Sequence, residues 1–402
     1  MSTTHLTNVD VAAPADVARW RQRWTAVAVL ASVLTLISAF TSFEHFLRGY
    51  LIGYMWVLGI ALGSLALLMT QHLSGGFWGL VIRRPLEAAT RTLPALAVLF
   101  IPIAIGMKHL YHWAHADVMA HDHVLQQKAW WLNTPGWFVR ALIYFAIWIG
   151  LSLVLNRWSA LQDSPTDPRF SQRYKAVASV GIILYVFSIT LASIDWVMSL
   201  DPHWNSTIFG LIFVAGQALS ALSFCTAMLI LLMRTTRLGE IVKPGQLHDL
   251  GKLMLAFTML WAYFSFSQWL IIWSGNLPEE IGWYLNRIRG GWGAVALLLV
   301  ILQFALPFML LLSRDLKRHG RTLLPLALFI ILMRGVDLFW MVVPNFPDTI
   351  RNFQFHWAYL VAPIALLGVW IVLFFTYLRT RPLIPIYEPQ VPSLLSQSEH
   401  GH

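Results

Sequence analysis

The sequence predicts an all-α polytopic membrane protein with ten transmembrane helices. Three observations lead there. Apolar residues make up 57% of the 402-residue chain and charged residues only 12%, more apolar surface than a soluble chain of this size could keep from water. That surface is gathered into ten runs, each near the ~20 residues a helix needs to cross about 30 Å of hydrocarbon. The charges flanking the runs alternate from one side to the other, which sets an orientation.

In chain order the runs are Trp24–Phe43, Tyr50–Met69, Leu93–His109, Trp137–Leu155, Ala176–Ser199, Ser206–Met233, Leu253–Ser274, Trp292–Ser313, Leu323–Val343 and Trp357–Leu378. One set of connections collects most of the cations, from Arg19, Arg21 and Arg23 through Arg83, Arg84, Arg91, Arg157 and Arg169 to Arg379 and Arg381. The opposite connections and the interior share only Arg48, Lys108, Lys128, Arg140, Arg287, Arg289, Arg334 and Arg351. Short cytoplasmic loops keep Lys and Arg, so both termini are expected in the cytoplasm, under a bacterial inner membrane. Residues 1–23 form a cytoplasmic lead-in, 24–380 a membrane domain, and 381–402 a Pro-rich cytoplasmic tail carrying Pro382, Pro385, Pro389 and Pro392. The first run is too long for a cleaved signal core and no small-residue cleavage site follows it, so it reads as an uncleaved helix.

The net charge of +9 raises the question of nucleic acid. The excess cations lie in short inner loops, where membrane insertion places them, so no nucleic-acid partner is expected. Cys225 is the single cysteine. It allows no disulfide within the chain, no Cys-x-x-Cys-His attachment for haem and no four-cysteine iron–sulfur set. The connection Asn156–Lys175 is polar, with Pro165 and Pro168.

A faint internal echo links DWVMSLDPHW from Asp195 to DLFWMVVPNFPD from Asp337. Both end outward-running helices, four helices apart. This suits two parallel four-helix bundles, helices two to five and six to nine, with the first and tenth helices peripheral. Chance similarity between two Trp-rich helix ends is the alternative.

Ionisable groups within a membrane are costly, and each is a functional candidate. Walking each helix at 1.5 Å per residue puts Glu44 and His45 at the outer end of the first helix and Lys108 and His109 at the outer end of the third. Arg140 enters the fourth from outside, and Asp195 lies about a turn below the outer end of the fifth. Arg334 and Asp337 occupy the middle-to-outer part of the ninth, and His356 opens the tenth. The inner half offers hydroxyls and amides: Tyr185, Ser188, Ser220, Ser223, Thr226 and Gln303. Buried charge is therefore expected in the outer half. Arg334 and Asp337 share a face, either as a self-neutralising pair or as a proton or quinone-headgroup site. Asp195 needs a cation from another helix, with Lys108 and Arg140 as candidates.

His109, His112 and His115 would align on a continued helix, yet the chain leaves the membrane there and no bound metal is expected. Haem b is not expected either, since His45, His109 and His356 are peripheral, and His72 and His248 sit at inner helix ends. Gly59 and Gly63 form a small-residue packing motif. Tyr263, Ser265, Ser267 and Gln268 form a polar stripe leading to Glu279 and Glu280, explicable as interhelical hydrogen bonding.

The strings GMKHLYHWAH from Gly106, SIDWVMSLDPHW from Ser193, FSFSQWLIIWSGNLPEE from Phe264 and FVRALIYFAIWIGLSLVLNRWS from Phe138 resemble the ActF-type membrane subunit of bacterial alternative complex III, a quinol:cytochrome c or high-potential-acceptor oxidoreductase. The resemblance runs from about Val29 to Tyr377. It implies a fold related to polysulfide-reductase-type membrane anchors and a subunit with no covalently bound cofactor of its own. It also implies a homologous quinol-binding membrane subunit, iron–sulfur and haem c partners, and a terminal oxidase as a further associate. Carried onto matching strings, it marks Lys108, His109, His112, Asp195, Asp201, His203, Glu279 and Glu280 as proton-path or quinone-site candidates. Arg140, Arg334, Asp337, Glu44 and His45 join them from the residue reading. The expected function is a non-catalytic subunit of a quinol-oxidising complex that binds lipid, scaffolds its partners, and takes part in quinone binding or proton transfer through its outer half. A secondary transporter, or the anchor of another quinone-linked reductase, is the alternative.

Overall fold

The computed structural model describes residues 15–161, 163, 170–350, 353–385, 388, 390 and 391. The lead-in before residue 15, Pro165, Pro168, Arg169, Arg351, Pro389 and Pro392 lie outside the described residues. Among the described residues, ten helices are long and apolar enough to cross a membrane: α1 Asp16–Thr41, α2 Phe43–Ser74, α3 Phe77–Ile105, α4 Thr134–Leu161, α5 Gln172–Leu200, α6 Phe209–Met233, α7 Pro244–Gly275, α8 Trp292–Leu312, α9 Gly320–Asn345 and α10 Ala358–Leu378. No strand occurs among the described residues. Trp20 at the start of α1 packs on Phe375 near the end of α10. At the other end of the bundle, His45 at the start of α2 meets Tyr359 at the start of α10. Both described ends of the chain therefore share one end of the molecule, called here the terminal end; the other is the distal end.

α2 and α6 form the centre. Along its most apolar stretch α2 is 94% buried and α6 89%, whereas α1, α7 and α8 are each 22% buried. Between helices in lipid there is little hydrophobic drive, so close approach of small residues must hold the core. Gly63 does this on α2: a Cβ there would lie 2.1 Å from the Gln217 carbonyl oxygen of α6. Gly49 and Gly53 do the same towards α10, where a Cβ would meet the Ala358 oxygen at 2.4 Å and the Pro363 Cα at 2.6 Å. Of the predicted packing pair, Gly63 sits at the tight contact, and Gly59 only approaches the Gln217 side chain. α1 lies outermost against α10, which in turn packs on α2. Apolar side chains such as Leu30, Leu142, Phe187 and Leu297 point outward from peripheral helices, as a lipid-facing surface requires.

Several boundaries differ from the sequence reading, and two of them move charged residues. Only Ser42 separates α1 from α2, so Glu44 and His45 open α2 instead of closing the first helix. α3 begins at Phe77, well before Leu93. Arg83, Arg84 and Glu87 depress the hydropathy of that stretch and read as loop charges, but they neutralise one another inside the bundle. Glu87 accepts from Arg83 Nε at 3.0 Å, Arg84 at 2.7 Å, Arg381 at 3.2 Å and Ser159 Oγ at 2.5 Å. Arg83 also donates to Glu388 at 2.7 Å, and Arg84 to Asp163. All three α3 side chains are buried. This corrects the expectation that buried charge gathers only in the outer half, because the cluster stands at the terminal end, against the chain beyond α10.

The contact at Gly63 has a direct consequence. Gly63→Ala forces a methyl into a backbone carbonyl and should destabilise the protein by about 1–3 kcal/mol, the cost of overpacking. Gly150→Ala, with nothing within 4 Å of the new Cβ, should leave stability near wild type. Thermal unfolding of both variants in detergent checks the contrast.

Candidate functional site

Asp195 lies one turn from the end of α5 and is fully buried. Arg140 grips it with two hydrogen bonds of 2.8 Å, from Nε to Oδ2 and from a terminal nitrogen to Oδ1. The Tyr144 hydroxyl donates to Oδ2 at 2.8 Å. Arg140 and Tyr144 are four apart on α4, so one helix face presents both donors. Around them the backbone is pinned too: Trp137 donates to the Asp195 carbonyl at 3.1 Å, and Tyr111 to the Trp196 carbonyl at 3.0 Å. The Arg140 guanidinium lies 4.1 Å from the centre of the Trp131 ring. Buried Trp196 sits among Phe100, Phe145 and Trp148. Of the two cations suggested for Asp195, Arg140 is the partner. Lys108 is exposed, because the chain turns away after Gly106.

Arg334 and Asp337 form the self-neutralising pair on α9, both buried. Gly216 of α6 makes room for the guanidinium: a Cβ there would stand 2.6 Å from Arg334 Cζ. The Phe213 ring lies 5.2 Å from the same carbon. Both carboxylates singled out within spanning helices are thus held by guanidinium groups.

Two buried arginines were counted in the sequence only as distal-side charges. Arg48 donates to Asp348 at 2.7 Å and Glu44 at 3.2 Å and lies over Phe346. Its i,i+4 spacing from Glu44 was the legible signal. Beside it, His45 bonds the Tyr359 hydroxyl at 2.6 Å and stacks on His356 at 4.3 Å. Burial, and then the neighbouring His45, lower the His356 pKa. Arg287 belongs to the helix Pro278–Ile288 between α7 and α8. It is fully buried, 3.5 Å from the centre of the Trp283 ring. It donates to the carbonyls of Trp283 and Met341 and to Asn345. Burial pulls its pKa down to about 9, opposed by the charge of Asp201, so it stays a cation at neutral pH. Trp283 four residues before it was the available hint.

The structure brings three other candidates together. His112, Asp201 and His203 line one distal cavity of about 270 Å³ with Asn286 and Asn345. The turns after α5 and α9, the two halves of the sequence echo, both contribute to its wall. Lys108 and His109 stay exposed outside it, as does Glu279, while Glu280 is half-buried. Glu279 and Glu280 occupy the first turn of the Pro278–Ile288 helix, where carboxylates favour the positive end of the helix dipole. The stripe on α7 splits: Gln268 turns inward to Ser206 and Tyr284, and Tyr263 turns outward. His109, His112 and His115 do not align, because the helix breaks at Tyr111 in extended conformation. Among the described residues no three His, Cys, Asp or Glu side chains gather as a metal-holding group.

No model of a known protein family matches the chain, and no curated protein matches it.

Two substitutions test the electrostatics. Asp195→Asn leaves the Arg140 guanidinium without its counter-charge and should cost about 3–5 kcal/mol, the penalty for breaking a buried pair. Adding Arg140→Gln should recover part of the loss, and a double-mutant cycle by thermal unfolding measures that coupling. Glu87→Gln should cost about 3 kcal/mol, since it removes the buried carboxylate that Arg83 and Arg84 share and leaves them to Glu388 and Asp163 nearer the surface.

Proposed function

We propose that the protein is a non-catalytic integral subunit of a respiratory quinol-oxidising complex of the alternative complex III kind, seated in a bacterial inner membrane with both termini in the cytoplasm. One observation carries the reading. Three of the four strings on which the resemblance rests meet at one point: Tyr111 from the first, Asp195 and Trp196 from the second, Arg140 and Tyr144 from the α4 string. Residues of the strings that carry the resemblance thus tie α4, α5 and the connection after α3 together.

The chemistry fits a scaffold. Asp195 and Asp337 are tied to guanidiniums, so neither is a free carboxylate poised to pass a proton. The less constrained groups, His112, Asp201 and His203, lie at the distal end, so proton transfer in this reading belongs to that end. The quinol site itself is assigned to a homologous membrane partner, and the iron–sulfur clusters and c-type haems to further subunits. The secondary-transporter alternative is disfavoured by the centre of the bundle. Such proteins bind substrate near the midplane between repeats, but α2 and α6 touch there backbone to backbone at Gly63 and Gln217.

Affinity purification of the tagged chain from its native membranes tests the reading. Polypeptides bearing haem c and iron–sulfur clusters should copurify; recovery of the chain alone or as a homo-oligomer contradicts the proposal. In the purified assembly, Asp337→Asn should lower the yield of intact complex and leave quinol turnover per haem within about twofold of wild type, since no interaction made only in the transition state is removed.

A further inference from the structure

The connection between α3 and α4 covers the distal cavity. Two short helices, Ala116–His121 and His123–Lys128, form its body. Val118 and Leu125 turn towards the cavity, while Asp117, His121, His123, Gln126 and Gln127 are exposed. Its two roots are fixed: Tyr111 and Trp113 are buried on one side, and Trp131 packs on Arg140 at the other. Between the roots, polar ties to the turn after α5 hold the body down. Asp122 meets His203 Nε2 at 2.7 Å, and Lys128 Nζ donates to the Pro202 carbonyl at 2.7 Å. Asp122 also caps the second helix, its Oδ1 accepting from the Val124 and Leu125 amides.

We propose that residues 116–128 form a proton-responsive lid over the distal cavity, latched by the ion pair between Asp122 and His203. The latch holds while the imidazole carries its proton and loosens when the proton leaves. This inference stands apart from the proposed function, since it needs only this chain's own residues.

Around His203 stand two carboxylates, Asp122 of the lid and Asp201 of its own turn, and two cations, Lys128 of the lid and Arg287 behind the Asn286 wall. His112 at the lid root is a second imidazole, and Asn345 from the turn after α9 is neutral. Arg48 and Asp348, further along that turn, neutralise each other. The hydrogen bond from His203 holds the Asp122 carboxyl below its ordinary pKa, with help from the cap amides. Asp122 therefore stays ionised at mildly acid pH, and imidazoles change charge between about pH 5 and 8. The pair is charged on both sides at the acid end of that range. Above it the carboxylate faces a neutral ring, and a charge-assisted bond becomes an ordinary one. Both side chains are partly exposed, so the latch is weak and reversible, as a lid requires. Opening widens solvent access to the cavity beside Asp201, Asn286 and Asn345.

Hydrogen exchange on the purified full chain in detergent tests the lid. After correction for intrinsic exchange rates, amides of residues 116–128 should exchange about three- to fivefold faster near pH 8 than near pH 5.5, the response that a weak exposed ion pair supplies. Core amides of α2 should not change. His203→Gln and Asp122→Asn should each abolish the pH response; asparagine still caps the second helix, so the lid stays folded. A second readout uses Val118→Cys, since native Cys225 is buried and gives a low background. Its labelling by a charged maleimide, scaled to the denatured chain, should rise with pH in an otherwise native chain and stay flat beside His203→Gln. A pH response that survives in both latch variants, or a native lid indifferent to pH, overturns the proposal.

Discussion

A charge inside a bilayer must find its opposite within the protein, and that constraint organises this structure. Lipid offers neither water nor counter-ions, so an unpaired carboxylate or guanidinium costs several kcal/mol. Glu87 gathers Arg83, Arg84 and Arg381, Asp195 holds Arg140, and Asp337 holds Arg334. Two of these ties cross between elements. The Asp195 tie joins α4 to α5. The Glu87 cluster joins α3 to Ser159 of α4 and to the chain beyond α10. Charge pairing supplies direction and register here, where apolar surfaces packing in lipid supply little.

The ten spans were legible because hydropathy and length decide membrane insertion with little help from tertiary structure. The start of α3 was not, for the same physical reason that makes it stable. Three charges within five residues look like a loop until Glu87 is seen between its arginines. The same blindness hid Arg48 and Arg287. A hydropathy reading counts their charges but not the Asp348 carboxylate, the Trp283 ring or the carbonyls that take them in.

At the candidate site the sequence narrowed the field without closing it. Arg140 was one of two cations suggested for Asp195, and only the turn at Gly106, which sends Lys108 outward, decides between them. His112, Asp201 and His203 were noted as residues of matching strings; their meeting around one cavity depends on four connections folding together, which no local pattern encodes. The π-helical stretch Leu299–Ala305 in α8 buries Gln303 with neither amide atom bonded within the described residues. The sequence showed that glutamine only as an inner-half amide.

The distal end combines a tied-down ionic centre at Asp195 with a looser set of imidazoles and carboxylates above it. A density map of the purified protein in a lipid nanodisc tests the central claim most directly. The account predicts Arg140 bidentate on Asp195 with Tyr144 on the same carboxylate, and Glu87 enclosed by Arg83, Arg84 and Arg381. Asp195 or Asp337 turned towards acyl chains, or Arg83 and Arg84 reaching out to headgroups and leaving Glu87 alone in the bundle, would contradict it.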